Sequence, residues 1–248
     1  MMLVDAHVHC VPLSMREEFF RIGFDAFFRQ FPAGAMKEPI EGLLSDMEKA
    51  GVDTSVVVTA GGLEIFDDYA YTHPGKLYVA LIFDSRNPKE GLRNLRKTVE
   101  RHRHLVKSVK TAYPYLGQHP AQKEFSPLYR YCEERNLPIQ FHMGGDPRME
   151  ELSHVVYFGK LCSLFPDLRV ICLHAGGGQV GAIAVLAKLW ENVYVELEGL
   201  QLTRSSNSGC TSRRGKREKR EKGKRAHDRR RAKKRIDMPQ GRLVTQTR

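Results

Sequence analysis

The sequence predicts an α/β fold, a TIM-type (β/α) barrel that lacks its eighth strand and is followed by a disordered basic tail. Three observations lead to this prediction. Apolar, strand-like runs alternate with helical patterns over residues 1–203, and histidines end three of these runs. The alternation then stops, and residues 204–248 are rich in Lys and Arg. We therefore expect a barrel domain at 1–203 and a separate tail at 204–248.

Seven segments have the length and the apolar character of buried strands. They are 2–6, 54–59, 77–83, 106–111, 138–142, 169–174 and 193–197. After the second segment, the starts of successive strands lie about 24 to 32 residues apart, which is the length of a βα unit. Near-continuous Val, Ile and Leu in such units indicate a parallel sheet that is covered on both faces.

In five of the stretches between the predicted strands, apolar residues recur at the spacing of a helix. The clearest has Ile40, Leu43, Leu44 and Met47 at i, i+3, i+4 and i+7, with Pro39 before it and Gly51 as a stop. The other four contain Leu92, Leu128, Val155 and Val180. Strands and helices therefore alternate along most of the predicted domain.

Two parallel architectures fit this alternation, an open doubly wound sheet and a closed barrel. The glycine fingerprint of a dinucleotide fold is absent after the first strand, where the sequence reads HVHC at 7–10. Polar residues at the ends of strands one, five and six would converge across a barrel mouth but lie far apart on an open sheet. The barrel is favoured. Because only seven strands can be counted, strands one and seven should have unpaired edges.

The first strand ends in the motif DAHVH at 5–9. Side chains two residues apart in a strand share a face, so His7 and His9 should point the same way and could chelate one divalent metal. His142 and His174 each end a later apolar run and precede glycines. The sequence therefore predicts a metal site at one end of the sheet. Cys10 is either a soft additional ligand or, as we favour, a small residue at a strand end.

Composition limits the class of protein. The 248 residues suffice for one large domain, and no run of 18 apolar residues predicts a membrane span. The amino terminus lacks the pattern of a signal peptide, and the five cysteines have no Cys-x-x-Cys spacing. We expect a cytoplasmic protein with reduced thiols.

The basic charge is confined to the tail. Residues 204–248 hold 18 Lys and Arg residues against four acids, a net charge of +14, whereas residues 1–203 have a net charge of −3. The tail has no aromatic residue and too little apolar surface to fold alone. It is a nucleic-acid-binding extension, a targeting or surface-binding address, or out-of-frame translation that interrupts the barrel near Leu202; the abrupt change favours the last.

A long stretch between the first two strands is rich in phenylalanine. Its members are Phe19, Phe20, Phe24, Phe27, Phe28 and Phe31. Their spacing fits a lid over the site, a homodimer contact, or an extra helix that packs on the barrel. We favour the extra helix.

Four motifs together resemble the amidohydrolase superfamily: DAHVH at 5–9, PIQFHMGG at 138–145, LHAGG at 173–177 and NVYVE at 192–196. The most similar branch is the amidohydrolase-2 group, which includes decarboxylases of the aminocarboxymuconate-semialdehyde type. The resemblance implies that His7, His9 and His142 bind the metal and that His174 is the catalytic acid or base. An orienting role for His174 is the alternative that the resemblance leaves open. The resemblance also implies an aspartate at the end of strand eight, which this sequence lacks.

Other charged residues are candidates for a secondary or substrate-binding role. Lys110 on the fourth strand and Glu196 on the seventh could both face the site, or pair with each other. Asp228 and Asp237 lie among basic residues of the tail, and we do not accept either as the missing aspartate.

The resemblance implies an enzyme. We expect a metal-dependent hydrolase that acts on a small carboxylated or cyclic molecule through a metal-activated water, with zinc favoured over manganese or iron. A non-oxidative decarboxylase of the same family is the first alternative. An inactive truncated barrel whose basic tail binds nucleic acid is the second.

Overall fold

A computed structural model describes residues 2–10, 40–144, 147–197 and 243–244. The phenylalanine-rich stretch lies outside the described residues, and so does the tail apart from Leu243 and Val244. The two-domain division therefore stays a prediction.

Eight strands and seven α-helices are described. The strands are β1 (Val4–Val8), β2 (Thr54–Thr59), β3 (Leu77–Ile82), β4 (Val106–Thr111), β5 (Ile139–Phe141), β6 (Val170–Cys172), β7 (Val193–Glu196) and β8 (Leu243–Val244). The helices are α1 (Ile40–Ala50), α2 (Leu63–Thr72), α3 (Pro88–Arg101), α4 (Ser126–Glu134), α5 (Pro147–Leu152), α6 (Val155–Leu164) and α7 (Val180–Leu189). No helix in this part of the chain has the length and apolar character needed to cross a membrane.

The strands form one parallel sheet in sequence order from β1 to β8. Seven of them coincide with the seven predicted strands, so the prediction of a parallel barrel without a full eighth strand is confirmed. The eighth position is filled by two residues, Leu243 and Val244, which pair with Val195 and Glu196. These two residues were predicted to belong to the disordered tail. The sequence did not indicate this strand, because two residues are too few to show a strand pattern.

The core lies on both faces of the sheet, as parallel strands require. Inward and outward side chains of β2, β3 and β4 are almost all buried.

Helix α3 shows how the outer layer of helices forms. Asn87 caps its first turn by accepting a hydrogen bond from the Glu90 N–H, and Pro88 pre-sets the helical φ. Its apolar face, Leu92, Leu95 and Val99, is buried against the sheet.

The loop after β5, which contains Gly144, meets the loop after β6, which contains Gly177. A Cβ atom on Gly177 would lie 2.4 Å from the Gly144 Cα, and one on Gly144 would lie 2.6 Å from the Gly177 Cα. Gly177 also has φ 62° and ψ −125°, a conformation that is essentially restricted to glycine. The two loops can therefore touch only because neither position carries a side chain.

Gly177→Ala should lower the free energy of unfolding by about 2–4 kcal/mol, because it combines backbone strain with a backbone clash. Gly181→Ala is the matched control: it lies near the start of α7, and an added Cβ there meets nothing within 4 Å. That substitution should be neutral or stabilise the protein by up to about 1 kcal/mol. Urea unfolding of both variants measures this, and equal effects would contradict the close loop contact.

Candidate active site

The first strand brings His7 and His9 together despite an irregularity. Asp5 pairs with Ser55 and Val8 with Val57, so β1 has one more residue than β2 over this interval, which is a β-bulge. At the bulge, the Ala6 carbonyl accepts a hydrogen bond from the Gln140 Nε2 at 2.8 Å. The rings of His7 and His9 have centroids 4.7 Å apart. The predicted pairing of the two imidazoles is therefore present.

His142 and His174 follow β5 and β6 and lie against each other. The His174 Nε2 is 3.1 Å from the His142 Nδ1. The ring centroid of His174 lies 5.3 Å from that of His7. The carboxyl ends of β1, β5 and β6 thus meet at one mouth, and they bring all four predicted histidines into one cluster.

Glu196, at the end of β7, is the carboxylate of this cluster. Its side chain is buried, and its Oε2 accepts a hydrogen bond from the His174 N–H at 3.1 Å. The same oxygen lies 3.9 Å from the His7 Nδ1. Glu196 therefore links the ends of β1 and β6.

Lys110 enters the cluster from β4. It is 2% exposed, and its Nζ lies 3.4 Å from the His7 Nε2. His7 is thus flanked by an ammonium group near Nε2 and by a carboxylate near Nδ1. Lys110 and Glu196, the two residues predicted for a secondary role, each have an atom within 4 Å of the His7 ring.

Burial determines the protonation of two imidazoles of the cluster, those of His7 and His142. Desolvation lowers the pKa of His7 well below its ordinary value, and the charge of Lys110 and the neighbouring His174 lower it further. Burial and Lys110 likewise lower the pKa of His142 well below its ordinary value. Both rings are therefore neutral at physiological pH, which is the form that binds metals.

Tyr115 is a site residue that the sequence did not reveal. It lies in a 3₁₀ turn, Tyr113–Leu116, after β4, and its ring centroid is 4.7 Å from that of His142. Burial raises the pKa of its hydroxyl to about 12, so the phenol stays protonated. Its segment, YPYLG at 113–117, has no periodicity that could have assigned it to the site.

A divalent ion fits this set of donors. One ligand atom each from His7, His174 and Glu196 lie within 4.8 Å of one another. Ligand atoms on one tetrahedral ion lie about 3.3–3.6 Å apart, so the three groups would have to move closer together to hold it. This set shares only His7 with the predicted ligands, and the assignment of His9 and His142 as ligands stays a prediction. Cys10 is buried in the hydrophobic core, which agrees with its interpretation as a small residue at a strand end.

Solved structures with the same fold include enzymes. An uncharacterised TIM-barrel protein from Bordetella bronchiseptica has a TM-score of 0.62 and 19% identity, over 79% of this chain and 75% of that one. For 5-carboxyvanillate decarboxylase from Sphingomonas paucimobilis the TM-score is 0.57 and the identity 12%, over 80% and 81%. A manganese-bound dihydroxybenzoic acid decarboxylase from Polaromonas gives 0.54 and 12%, over 80% and 79%.

The sequence itself matches one family. No curated protein matches the chain significantly. The family described as amidohydrolase matches residues 4–228 of the 248. Together with the histidine cluster at the barrel mouth, this match over most of the sequence shows that the chain belongs to the amidohydrolase family of metal-dependent enzymes, in the amidohydrolase-2 branch.

Proposed function

We propose that this protein is a metal-dependent hydrolase that acts on a small carboxylated or cyclic organic molecule. The observation that carries the proposal is the convergence of four imidazoles, one carboxylate and one ammonium group at the barrel mouth. Neutral imidazoles and a carboxylate are suitable ligands for zinc, and also for manganese or iron. Zinc is the ion we propose, held by His7 together with His9 and His142.

When bound, the ion supplies Lewis acidity, which activates water and polarises an oxygen of the substrate. His174 is the proton-transferring group in this proposal. The His174 Nε2 lies 3.1 Å from the His142 Nδ1, and the His174 backbone N–H donates a hydrogen bond to Glu196. The ring and the backbone of His174 are therefore both bonded within the cluster. Hydrolysis needs a group that takes a proton from water and returns one to the leaving group, and an oriented imidazole can do both.

Lys110 is proposed to recognise the substrate. Its ammonium group is buried, and a buried cation is stabilised by a compensating anion. A carboxylate of the substrate is an anion that can contribute to this stabilisation. The substrate class is therefore an organic acid or a lactone or amide that carries a carboxylate.

Non-oxidative decarboxylation is the second candidate. It is favoured by the same buried Lys110, which can bind a carboxylate, and by the decarboxylases among the proteins with this fold. In this reaction a carbon–carbon bond breaks, carbon dioxide leaves with the carboxyl carbon, and the electron pair stays on the remaining carbon until it takes a proton. Tyr115, which stays protonated beside His142, is a candidate for the proton donor.

Isotope incorporation separates the two reactions. The zinc-loaded protein would be assayed with carboxylated lactones, amides and aromatic acids in H₂¹⁸O and in D₂O. We expect one ¹⁸O atom in the new carboxyl group and no release of carbon dioxide. Carbon dioxide release with deuterium on the former carboxyl-bearing carbon would establish the decarboxylase instead.

Histidine variants connect either activity with the cluster. His7→Ala should lower kcat/KM by more than about 100-fold, because loss of a metal ligand should cost more than loss of a group that only orients one. The control is His154→Ala, because His154 is exposed and only caps α6 through the Val156 N–H. Equal losses in the two variants would contradict the proposed site.

The lowered pKa of His7 also predicts a pH dependence of stability in the metal-free protein. Between the folded-state pKa and about 6.5, the unfolded chain binds more protons than the folded chain, so stability falls as the pH falls through this interval. Urea unfolding in chelator at pH 7.5, 6.5 and 5.5 should show little change above pH 6.5 and a decline below it. His7→Gln should remove up to about 1.4 kcal/mol per pH unit of that decline. The surface variant His73→Gln should leave it unaltered, and an unaltered decline in His7→Gln would contradict the assignment.

A further inference from the structure

A short helix, α5, lies against both loops that carry His142 and His174, and its polar side chains make the contacts. The Glu150 Oε1 accepts a hydrogen bond from the Gly178 N–H at 2.7 Å. Its Oε2 accepts a second from the Gln179 Nε2 at 3.4 Å. The carboxylate occupies a cradle made by glycines: a Cβ atom on Gly177 would lie 2.7 Å from Oε1, and one on Gly178 would lie 3.2 Å from it.

The loop that Glu150 contacts has an unfavourable backbone conformation. His174 and Ala175 have φ values of 56° and 50°, in the left-handed region. Each such residue costs about 1–2 kcal/mol, so other contacts must hold the loop in this conformation. Glu196 holds its start through the His174 N–H, and Glu150 holds its end through Gly178 and Gln179.

A second contact joins the residue that follows α5, Ser153, to the other loop. The Ser153 Oγ accepts a hydrogen bond from the Gly144 N–H at 3.1 Å and donates one to the Met149 carbonyl at 2.6 Å. Gly144 follows His142 by two residues. The segment from Met149 to Ser153 is therefore bonded to both loops whose histidine side chains meet at 3.1 Å.

We propose that Glu150 is a positioning residue, which sets the orientation of the His174 ring against His142. The proposal rests on the proposed function only for the role of His174 in proton transfer. Without the Glu150 carboxylate, the Gly178 N–H loses its acceptor, and the left-handed turn loses one of the contacts that hold it. The ring of His174 would then sample other orientations, and the 3.1 Å contact would be lost for part of the time.

The test uses the metal-free, full-length protein, labelled with ¹⁵N in its histidines. Proton–nitrogen correlation spectra report the ring environment of each histidine, and His174→Gln assigns the His174 signals. Glu150→Ala should shift or broaden the ring signals of His174 and His142. Glu150→Gln should restore them in large part, because its amide oxygen can still accept from the Gly178 N–H. The matched control is Glu151→Ala, since Glu151 is the next residue along α5 and is exposed; it should leave the signals in place.

Zinc affinity gives a second readout. Loss of a residue that orients the site should weaken binding by about 10–100-fold, measured by competition with a chelator. If Glu150→Ala does not fold, Glu150→Asp keeps the charge but withdraws the carboxylate by one methylene, and it should cause smaller shifts in the same signals. Unchanged His174 and His142 signals in the folded Ala or Asp variant, or equal shifts in Glu151→Ala, would overturn the proposal. Shifted signals in a protein without hydrolase activity would retain this proposal and reject the proposed function.

Discussion

Contacts across the barrel interior hold β1 against β4 and β5, and the site depends on them. The first strand pairs with β2 on one side, and within the described residues no backbone pair joins it to the two-residue β8 on the other. The Gln140 amide binds the Ala6 carbonyl across the interior, and Lys110 reaches His7 from β4. These two contacts fix the strand that carries the His-x-His motif, at a place where a full eighth strand would otherwise support it.

The same contacts determine the electrostatics of the mouth. Lys110 lies near the Nε2 of His7 and Glu196 near its Nδ1, an arrangement that favours a proton on Nδ1 and a lone pair on Nε2. Burial and the ammonium charge keep His7 and His142 neutral. A buried charge is costly unless it is compensated, so one cation and one anion on either side of neutral imidazoles make this cluster suited to a metal and an anionic substrate.

Much of this arrangement could be predicted from the sequence, because strands and their ends leave a local signal. The strands at 54–59 and 106–111 have the predicted bounds, and the histidines that end apolar runs do converge. Strand six was predicted to include His174, but it ends at Cys172, since His174 and Ala175 adopt a left-handed turn that Glu196 and Glu150 hold through contacts from distant segments. Helix α5 has no buried residue and so has no apolar periodicity to detect. Tyr115, Glu150 and the bulge at Ala6 depend on contacts between distant segments, which a single sequence does not encode locally.

We propose that the histidine cluster at the barrel mouth binds one divalent ion. X-ray absorption at the zinc edge, on protein loaded with one equivalent of zinc, measures the ligands of that ion. We expect nitrogen and oxygen ligands with the outer-shell scattering of several imidazole rings, and loss of this signal in His7→Ala. A spectrum dominated by sulfur ligands, or one that His7→Ala leaves unchanged, would place the ion elsewhere and contradict a metal site at the histidine cluster.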